Sequence, residues 1–354
     1  MSKAIYVTTI ESNSGKSLVS LGLLRMMLTR SSKVGYFRPI INKDKNDAFD
    51  NHTNTAINFF NLDTTHNECY AYHQYEVVEL LSEGKEDEII HNIIKKYKNL
   101  EEKFDYVLVE GTDFSGEGGF TEVDVNLMIA KNLGIPVLIV GAGNGKKKKD
   151  FINTMQITYN SFIQKEVDVV GVIANKIEVD EVGFIKQELN KVIPSSVSID
   201  IIPNINFLAY PTVKEVVESL EGNILFGEQF IDNAIGSYSI GAMQLRNYLT
   251  RIRENALVVT PGDRADIILG ALQANASSNY PKISGIILTG GLIPEDSILK
   301  LIEGLSSVVP IISVKEGTFY VTNTIGKIKS RIYLDLLAKI KNIDSFNSML
   351  PLML

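Results

Sequence analysis

Six short runs rich in Val, Ile and Leu, at residues 4–8, 34–38, 106–110, 137–140, 169–174 and 198–202, alternate along the chain with stretches of helical spacing. A run that is apolar at nearly every position must be covered on both faces, as a strand of a parallel sheet is when helices cross over it. Helical patterns at residues 15–30, 54–60, 86–98, 123–132, 151–164 and 184–192 supply those covers. The expected fold class is therefore α/β, a doubly wound and mainly parallel sheet.

The rhythm lapses around residues 220–236, a mixed stretch containing Gly222 and Gly227, and then resumes. Strands expected at 256–260, 285–288 and 310–313 alternate with helices near 263–273, 294–305 and 317–330, followed by a helix near 332–341. A chain of 354 residues exceeds one ordinary core. It divides into a first domain over 1–224 and a smaller α/β domain over 225–354, with the boundary near Leu225. Residues 346–354 are apolar, and self-association of the second domain is expected because the tail Met349 to Leu354 and the exposed edges of a small sheet ask for cover.

Between the first strand and the first helix lies Thr8-Thr9-Ile10-Glu11-Ser12-Asn13-Ser14-Gly15-Lys16-Ser17. A strand, a short polar loop and a helix opening on Gly-Lys-Ser make a cradle for phosphate. Backbone N–H groups at Ser14 and Gly15 face the anion, Lys16 brings a charge from an exposed helix start, and Ser17 can ligate Mg²⁺. The loop has Ile10 where a standard Walker A loop has its first glycine, so an ordinary capped helix is the competing reading.

Three further residues stand at strand ends, where a parallel sheet directs them to one rim. Glu110 could hold Mg²⁺ or serve as a surface charge, and Arg38 could grip phosphate or merely precede a loop. Asn175 could read an adenine edge or be a loop residue. His52, His66, His73 and His91 have no zinc-like spacing and read as surface or satisfied histidines. The ligand class is thus phosphate-bearing: ATP or another nucleotide with Mg²⁺, or a small anionic metabolite.

Net charge excludes other partners. At −7, a surface for nucleic acid or for anionic membrane is not expected, and Lys146 to Lys149 reads as a solvated loop. The single Cys69 excludes an internal disulfide and agrees with a cytoplasmic location. The opening residues do not read as a signal peptide, and no stretch reaches membrane-spanning length.

With these residues in view, a family resemblance follows. The segments 5–17, Gly35-Tyr36-Phe37-Arg38-Pro39-Ile40, Val107-Leu108-Val109-Glu110-Gly111 and Asn175-Lys176 resemble the dethiobiotin-synthetase-like N-terminal domain of long bacterial phosphotransacetylases. Thr260-Pro261-Gly262-Asp263-Arg264 and Thr289-Gly290-Gly291 resemble the signature of the DRTGG domain that follows it in those enzymes. The resemblance implies the N-terminal regulatory and oligomerisation region of a phosphate acetyltransferase, or a stand-alone relative. Transfer of acetyl between coenzyme A and phosphate would then belong to a third domain. It also implies a second ligand site at Gly262, Asp263, Arg264, Thr289, Gly290 and Gly291. By its position after Pro261-Gly262, Asp263 is expected to cap the helix that follows, and a cap that serves no ligand is the competing reading.

Departures from the dethiobiotin synthetase pattern bear on activity. Thr9 stands in place of a glycine, Arg38 in place of a lysine, and Thr112-Asp113-Phe114 in place of a glycine-rich turn. They favour a binding fold retained for sensing or assembly over an ATP-dependent ligase, with a scaffold that binds no nucleotide as a third reading.

Overall fold

The computed structural model describes residues 3–11, 13–42, 50–113, 122–205, 210–305 and 308–328. The helix expected near 332–341 and the apolar residues 346–354 lie outside them. The described residues up to Asn204 form one compact unit and those from Ile205 onward a second.

In the first unit the chain order is β1 (Lys3–Thr9), α1 (Lys16–Leu28), β2 (Val34–Phe37), β3 (Ile40–Ile41), α2 (Asn51–Phe60), β4 (Tyr72–His73), α3 (Gln74–Ser82), α4 (Glu86–Lys103), β5 (Tyr106–Glu110), α5 (Glu122–Leu133), β6 (Val137–Ala142), α6 (Lys148–Gln164), β7 (Val169–Ile177), α7 (Val182–Val192) and β8 (Ser198–Pro203). Six strands form one sheet in the order β2-β5-β1-β6-β7-β8, every neighbouring pair parallel. β3 and β4 pair separately as a two-stranded ribbon. The expected alternation is therefore present, and the inner strands β1, β5 and β6 are buried almost throughout. Their side chains join α4, α5 and α6 in a core that includes Tyr97, Ile129, Phe151 and Phe162.

β1 lies between β5 and β6, and its carboxyl end is where the chain order of the strands reverses. In open parallel sheets such a reversal opens a crevice between loops that depart in opposite directions. The loop from Thr9 to Lys16 leaves β1 at that crevice.

The second unit contains α8 (Val213–Leu220), β9 (Asn223–Phe226), β10 (Ser237–Ile240), α9 (Leu245–Leu249), β11 (Ala256–Pro261), α10 (Ala265–Ala276), β12 (Ile283–Thr289), α11 (Asp296–Glu303), β13 (Ile311–Ser313) and α12 (Thr318–Ile325). Its sheet runs β10-β11-β12-β13-β9, parallel except for the β13–β9 pair. The division falls ahead of Leu225, because α8 contributes Val213, Val216 and Leu220 to the second core beside Leu257, Val259 and Ile287. β9 belongs to the second sheet as well. No helix among the described residues is long and apolar enough to cross a membrane.

Candidate functional site

The turn out of β1 must reverse direction before α1 begins, and two residues take left-handed backbone to do so, Asn13 at φ +63° and Gly15 at φ +85°. Asn is among the few side chains that tolerate this region. At Gly15 glycine is required twice over, since a Cβ there would stand 2.3 Å from the Asn175 amide nitrogen. Ser14 Oγ donates to the Glu11 carbonyl at 2.6 Å, closing the turn from within.

β7 braces this loop from the side. Asn175 Nδ2 donates to the Ser14 carbonyl at 2.8 Å, and its Oδ1 accepts from the Lys176 backbone at 2.9 Å. Lys176 Nζ donates to the Asn13 carbonyl at 2.7 Å. Lys146, from the basic run before α6, pairs with Glu11. The structure thus sets the Asn175 amide against the β1–α1 loop, with both of its ends holding main chain, rather than toward a base edge.

Lys16 is not at an exposed helix start. Only 3% of it is accessible, and Nζ lies 2.8 Å from Asp113 Oδ1 and 4.0 Å from Glu122 Oε1. Arg38, at the end of β2, is equally enclosed: one guanidinium nitrogen meets Glu110 Oε1 at 3.0 Å and the other meets Asp113 Oδ2 at 3.0 Å. Asn42 fixes the same segment by donating to the Asp113 carbonyl at 3.0 Å. Ser17 Oγ lies 2.6 Å from His52 Nδ1 and donates to Glu110 Oε1 at 3.4 Å, while His52 Nδ1 is 3.1 Å from that same oxygen. The rim residues Arg38 and Glu110 therefore do converge on Gly15-Lys16-Ser17.

These contacts set the charge states. Burial alone would raise the Glu110 carboxyl, but the hydrogen bond and charge of His52, with the charges of Arg38 and Lys16, outweigh it and hold the group at about 2. Asp113 is likewise driven well below the ordinary carboxylate range, burial being overcome by Lys16 and Arg38. Burial disfavours the Arg38 cation, yet Asp50, Glu110 and Asp113 together hold it more firmly charged than usual. Behind the cluster, Asn126 acts as a hub: Tyr6 donates its hydroxyl to Oδ1 at 2.7 Å, the Thr112 amide donates to the same atom at 2.9 Å, and Nδ2 donates to the Thr112 and Glu122 carbonyls. Thr9 Oγ1 donates to Glu122 Oε1 at 2.5 Å, so a hydroxyl occupies the place where a glycine was expected and serves to anchor a carboxylate.

No group of three or more His, Cys, Asp and Glu side chains among the described residues forms a ready-made metal cage. Ser17 Oγ and Glu110 Oε1 are 3.4 Å apart, close to the roughly 3 Å edge of an octahedron whose ligands sit at about 2.1 Å. These are the two oxygens of the cluster that could hold Mg²⁺, Glu110 Oε1 being shared with Arg38 and His52. Beside them a small cavity is lined by Ser17, Leu21, Tyr36, His52, Thr55, Ala56 and Glu110, and the buried hydroxyls of Tyr36 and Thr55 have no hydrogen-bond partner among the described residues.

From sequence, His52 reads as a surface or satisfied histidine, Asp113 enters only as a departure from the ligase pattern and Glu122 is not singled out; the structure brings all three to Lys16, Ser17 or Arg38. A signal existed for His52: Asp50 caps α2 by accepting from the Thr53 amide at 2.9 Å, which starts the helix early enough to present His52 to Ser17.

In the second unit the loops after β11, β12 and β13 meet at one edge of the sheet. Gly290 and Gly291, at φ +81° and +66°, donate to the Glu316 and Val314 carbonyls at 2.8 and 2.9 Å, and Thr289 Oγ1 lies 3.0 Å from Thr318 Oγ1. Gly262 packs so closely that a Cβ would stand 1.8 Å from the Leu292 carbonyl oxygen. Asp263 does not cap α10. The residue preceding that helix is Arg264, whose guanidinium donates to the carbonyls of Gly241, Ala242 and Met243 and pairs with Asp266 at 2.8 Å. Its charge is committed to holding the loop after β10.

Residues 3–211 match the model of the AAA domain family, and residues 215–328 match that of the DRTGG domain. The chain belongs to the AAA domain family. In this AAA-domain chain the parallel sheet, the β1–α1 loop and a DRTGG domain follow in the order that the sequence suggested. It is 38% identical over 342 residues to a phosphate acetyltransferase of Nitratidesulfovibrio vulgaris, covering 95% of this chain and 48% of that protein. A phosphate acetyltransferase of Synechocystis sp. is 36% identical over 320 residues, 90% of this chain and 46% of that one. The chain spans about half the length of the curated relatives it matches. Among solved structures, the CBS and DRTGG regulatory region of Clostridium perfringens pyrophosphatase with diadenosine tetraphosphate aligns over 51% of this chain and 71% of its own, at 18% identity and a TM-score of 0.29. At that score no functional argument rests on it.

Proposed function

We propose that the chain is the N-terminal regulatory and oligomerisation region of a phosphate acetyltransferase, and that its AAA unit binds a nucleotide or another small anionic metabolite by phosphate. The observation that carries the reading is the meeting of Lys16 and Arg38 with Ser17 and Glu110 at the start of α1. Two cations beside a helix N-terminus suit a phosphate, and the serine–carboxylate pair suits the Mg²⁺ that accompanies a nucleotide. When bound, that ion would neutralise phosphate charge, while Lys16 and Arg38 orient the phosphate itself. Similarity to phosphate acetyltransferases over about half their length supports placing acetyl transfer outside this chain. A cytoplasmic homo-oligomer completes the proposal.

Titration calorimetry of the 354-residue chain with Mg-ATP and Mg-ADP tests the nucleotide reading. Saturable binding is expected, and acetyl phosphate formation from acetyl-CoA and phosphate by this chain alone is not. Turnover by the purified chain would overturn the regulatory assignment. Absence of nucleotide binding would leave an interaction scaffold. An ATP-dependent ligase would instead release phosphate from ATP when given a diamino acid and bicarbonate.

A further inference from the structure

Among the described residues, Asp113 is the one carboxylate with an ion pair to both Lys16 and Arg38. Its Oδ1 is 2.8 Å from Lys16 Nζ and its Oδ2 is 3.0 Å from an Arg38 guanidinium nitrogen. Two oxygens of one anion, each held by a different cation at the mouth of a helix N-terminus, is the arrangement that a terminal phosphate would adopt there. The charge balance points the same way. Lys16 and Arg38 face Asp50, Glu110, Asp113 and Glu122, so among the described residues this cluster already contains more carboxylates than cations. A nucleotide phosphate added to that set would meet repulsion from a neighbour 2.8 Å from the lysine it needs.

We propose that the Asp113 carboxylate is an internal stand-in for phosphate, and that a nucleotide binds by exchange, its terminal phosphate taking Lys16 and Arg38 as Asp113 swings out. The chain between Glu110 and Asp113 makes the exchange feasible. The Glu110 carboxylate is almost wholly buried and anchored by Arg38 and His52, whereas a third of the Asp113 side chain is accessible. Thr112 remains fixed by Asn126, so Asp113 can turn outward without disturbing the strand. An internal anion competes at a high effective concentration, which sets the affinity of the site for phosphate well below what its cations alone would give. Occupancy of the site would then be reported at one residue, by the release of Asp113 and of the Asn42 hydrogen bond to its carbonyl.

The inference rests on the phosphate-binding reading above, and one set of titrations separates the two. The 354-residue chain, Asp113→Asn and Asp113→Ala are titrated with Mg-ATP and with inorganic tripolyphosphate, folding of each being checked by circular dichroism. Both variants are expected to bind at least about tenfold more tightly than the parent chain, the ratio that 1.4 kcal/mol produces. Equal or weaker binding by the variants, with measurable binding by the parent, overturns the stand-in and leaves the phosphate site intact. No binding by any of the three overturns both. Should the variants fail to fold, crystals of the parent chain soaked in tripolyphosphate decide: phosphate between Lys16 and Arg38 with Asp113 displaced supports exchange, and Asp113 still bridging the two cations overturns it.

Discussion

The Asn175 side chain reaches across 161 positions of sequence to donate to the Ser14 carbonyl at 2.8 Å. Through that bond the end of β7 determines the shape of the loop after β1. Asn175→Ala would leave a buried carbonyl without its donor, at a cost of about 1–3 kcal/mol of stability. Faster amide exchange at residues 13–17 is expected with little change elsewhere, and uniform exchange rates across the unit would contradict it.

Lys16→Ala is expected to weaken any nucleotide bound at the loop by about 1.5–3 kcal/mol, the scale of a hydrogen bond between charged partners. Because Lys16 is buried against Asp113 and Glu122, the same change should also lower the unfolding midpoint. An unaltered affinity in a chain that otherwise binds would place the ligand elsewhere.

Arg38 bridges Glu110 and Asp113 from a position that is 1% exposed. Removing one partner of a buried pair typically costs about 3–5 kcal/mol, because the other charge stays behind. Arg38→Ala should lose that much in urea unfolding, and Arg38→Lys part of it, since an ammonium cannot present a planar fork to two carboxylates. A loss under 1 kcal/mol for the alanine variant would show the pair to be solvated in solution.

Acid should unfold the first unit through Glu110. Its carboxyl is lowered from 4.5 to about 2 in the folded chain, so the native state holds the charged form more tightly than the unfolded chain does. That difference contributes on the order of 3 kcal/mol, complete above pH 4.5 and lost as pH falls toward 2. Asp113, also lowered, adds to the same trend. Glu110→Gln should be less stable at neutral pH and show a shallower fall in urea midpoint below pH 4.5. Parallel pH profiles for the two chains would refute this assignment.

Gly262→Ala tests the second unit. With the Leu292 carbonyl oxygen 1.8 Å from the new Cβ, main chain must move, at a cost of about 1–3 kcal/mol or more. A melting transition lowered for the second unit alone is expected, and a variant as stable as the parent would mean that this approach relaxes freely.

What the sequence made legible follows burial. The core strands of both sheets stood out because nearly every residue in Tyr106–Glu110 or Val137–Ala142 is enclosed, which writes itself as an unbroken apolar run. β9 and β10 are edge strands with half-exposed residues and carry no such run. β3 and β4, two residues each, are too short to have a pattern. α8 did carry one, the Thr212–Glu215 capping box, and was passed over for want of a long apolar stripe. In the site, the positions of Lys16, Ser17, Arg38 and Glu110 were readable because a parallel sheet sends its strand ends to one rim. Their partners were not. Which carboxylate meets which cation depends on turns of two or three residues, such as the step from Glu110 to Asp113, and such turns leave no periodicity.

The central position of β1 also has a temporal consequence. Lys3 pairs with Tyr106 and Tyr6 with Val137, so the strand that becomes the middle of the sheet waits for about a hundred residues before its first neighbour exists. At synthesis rates of about 5–20 residues per second that wait lasts roughly 5–20 s. Throughout it a flat apolar segment, Ala4 to Val7, has no native neighbour on either edge, and loop closure over such a span is slow to reward. Of the whole sheet, the strand that leads into the Thr9–Lys16 loop is the one that a nascent chain most needs to have shielded.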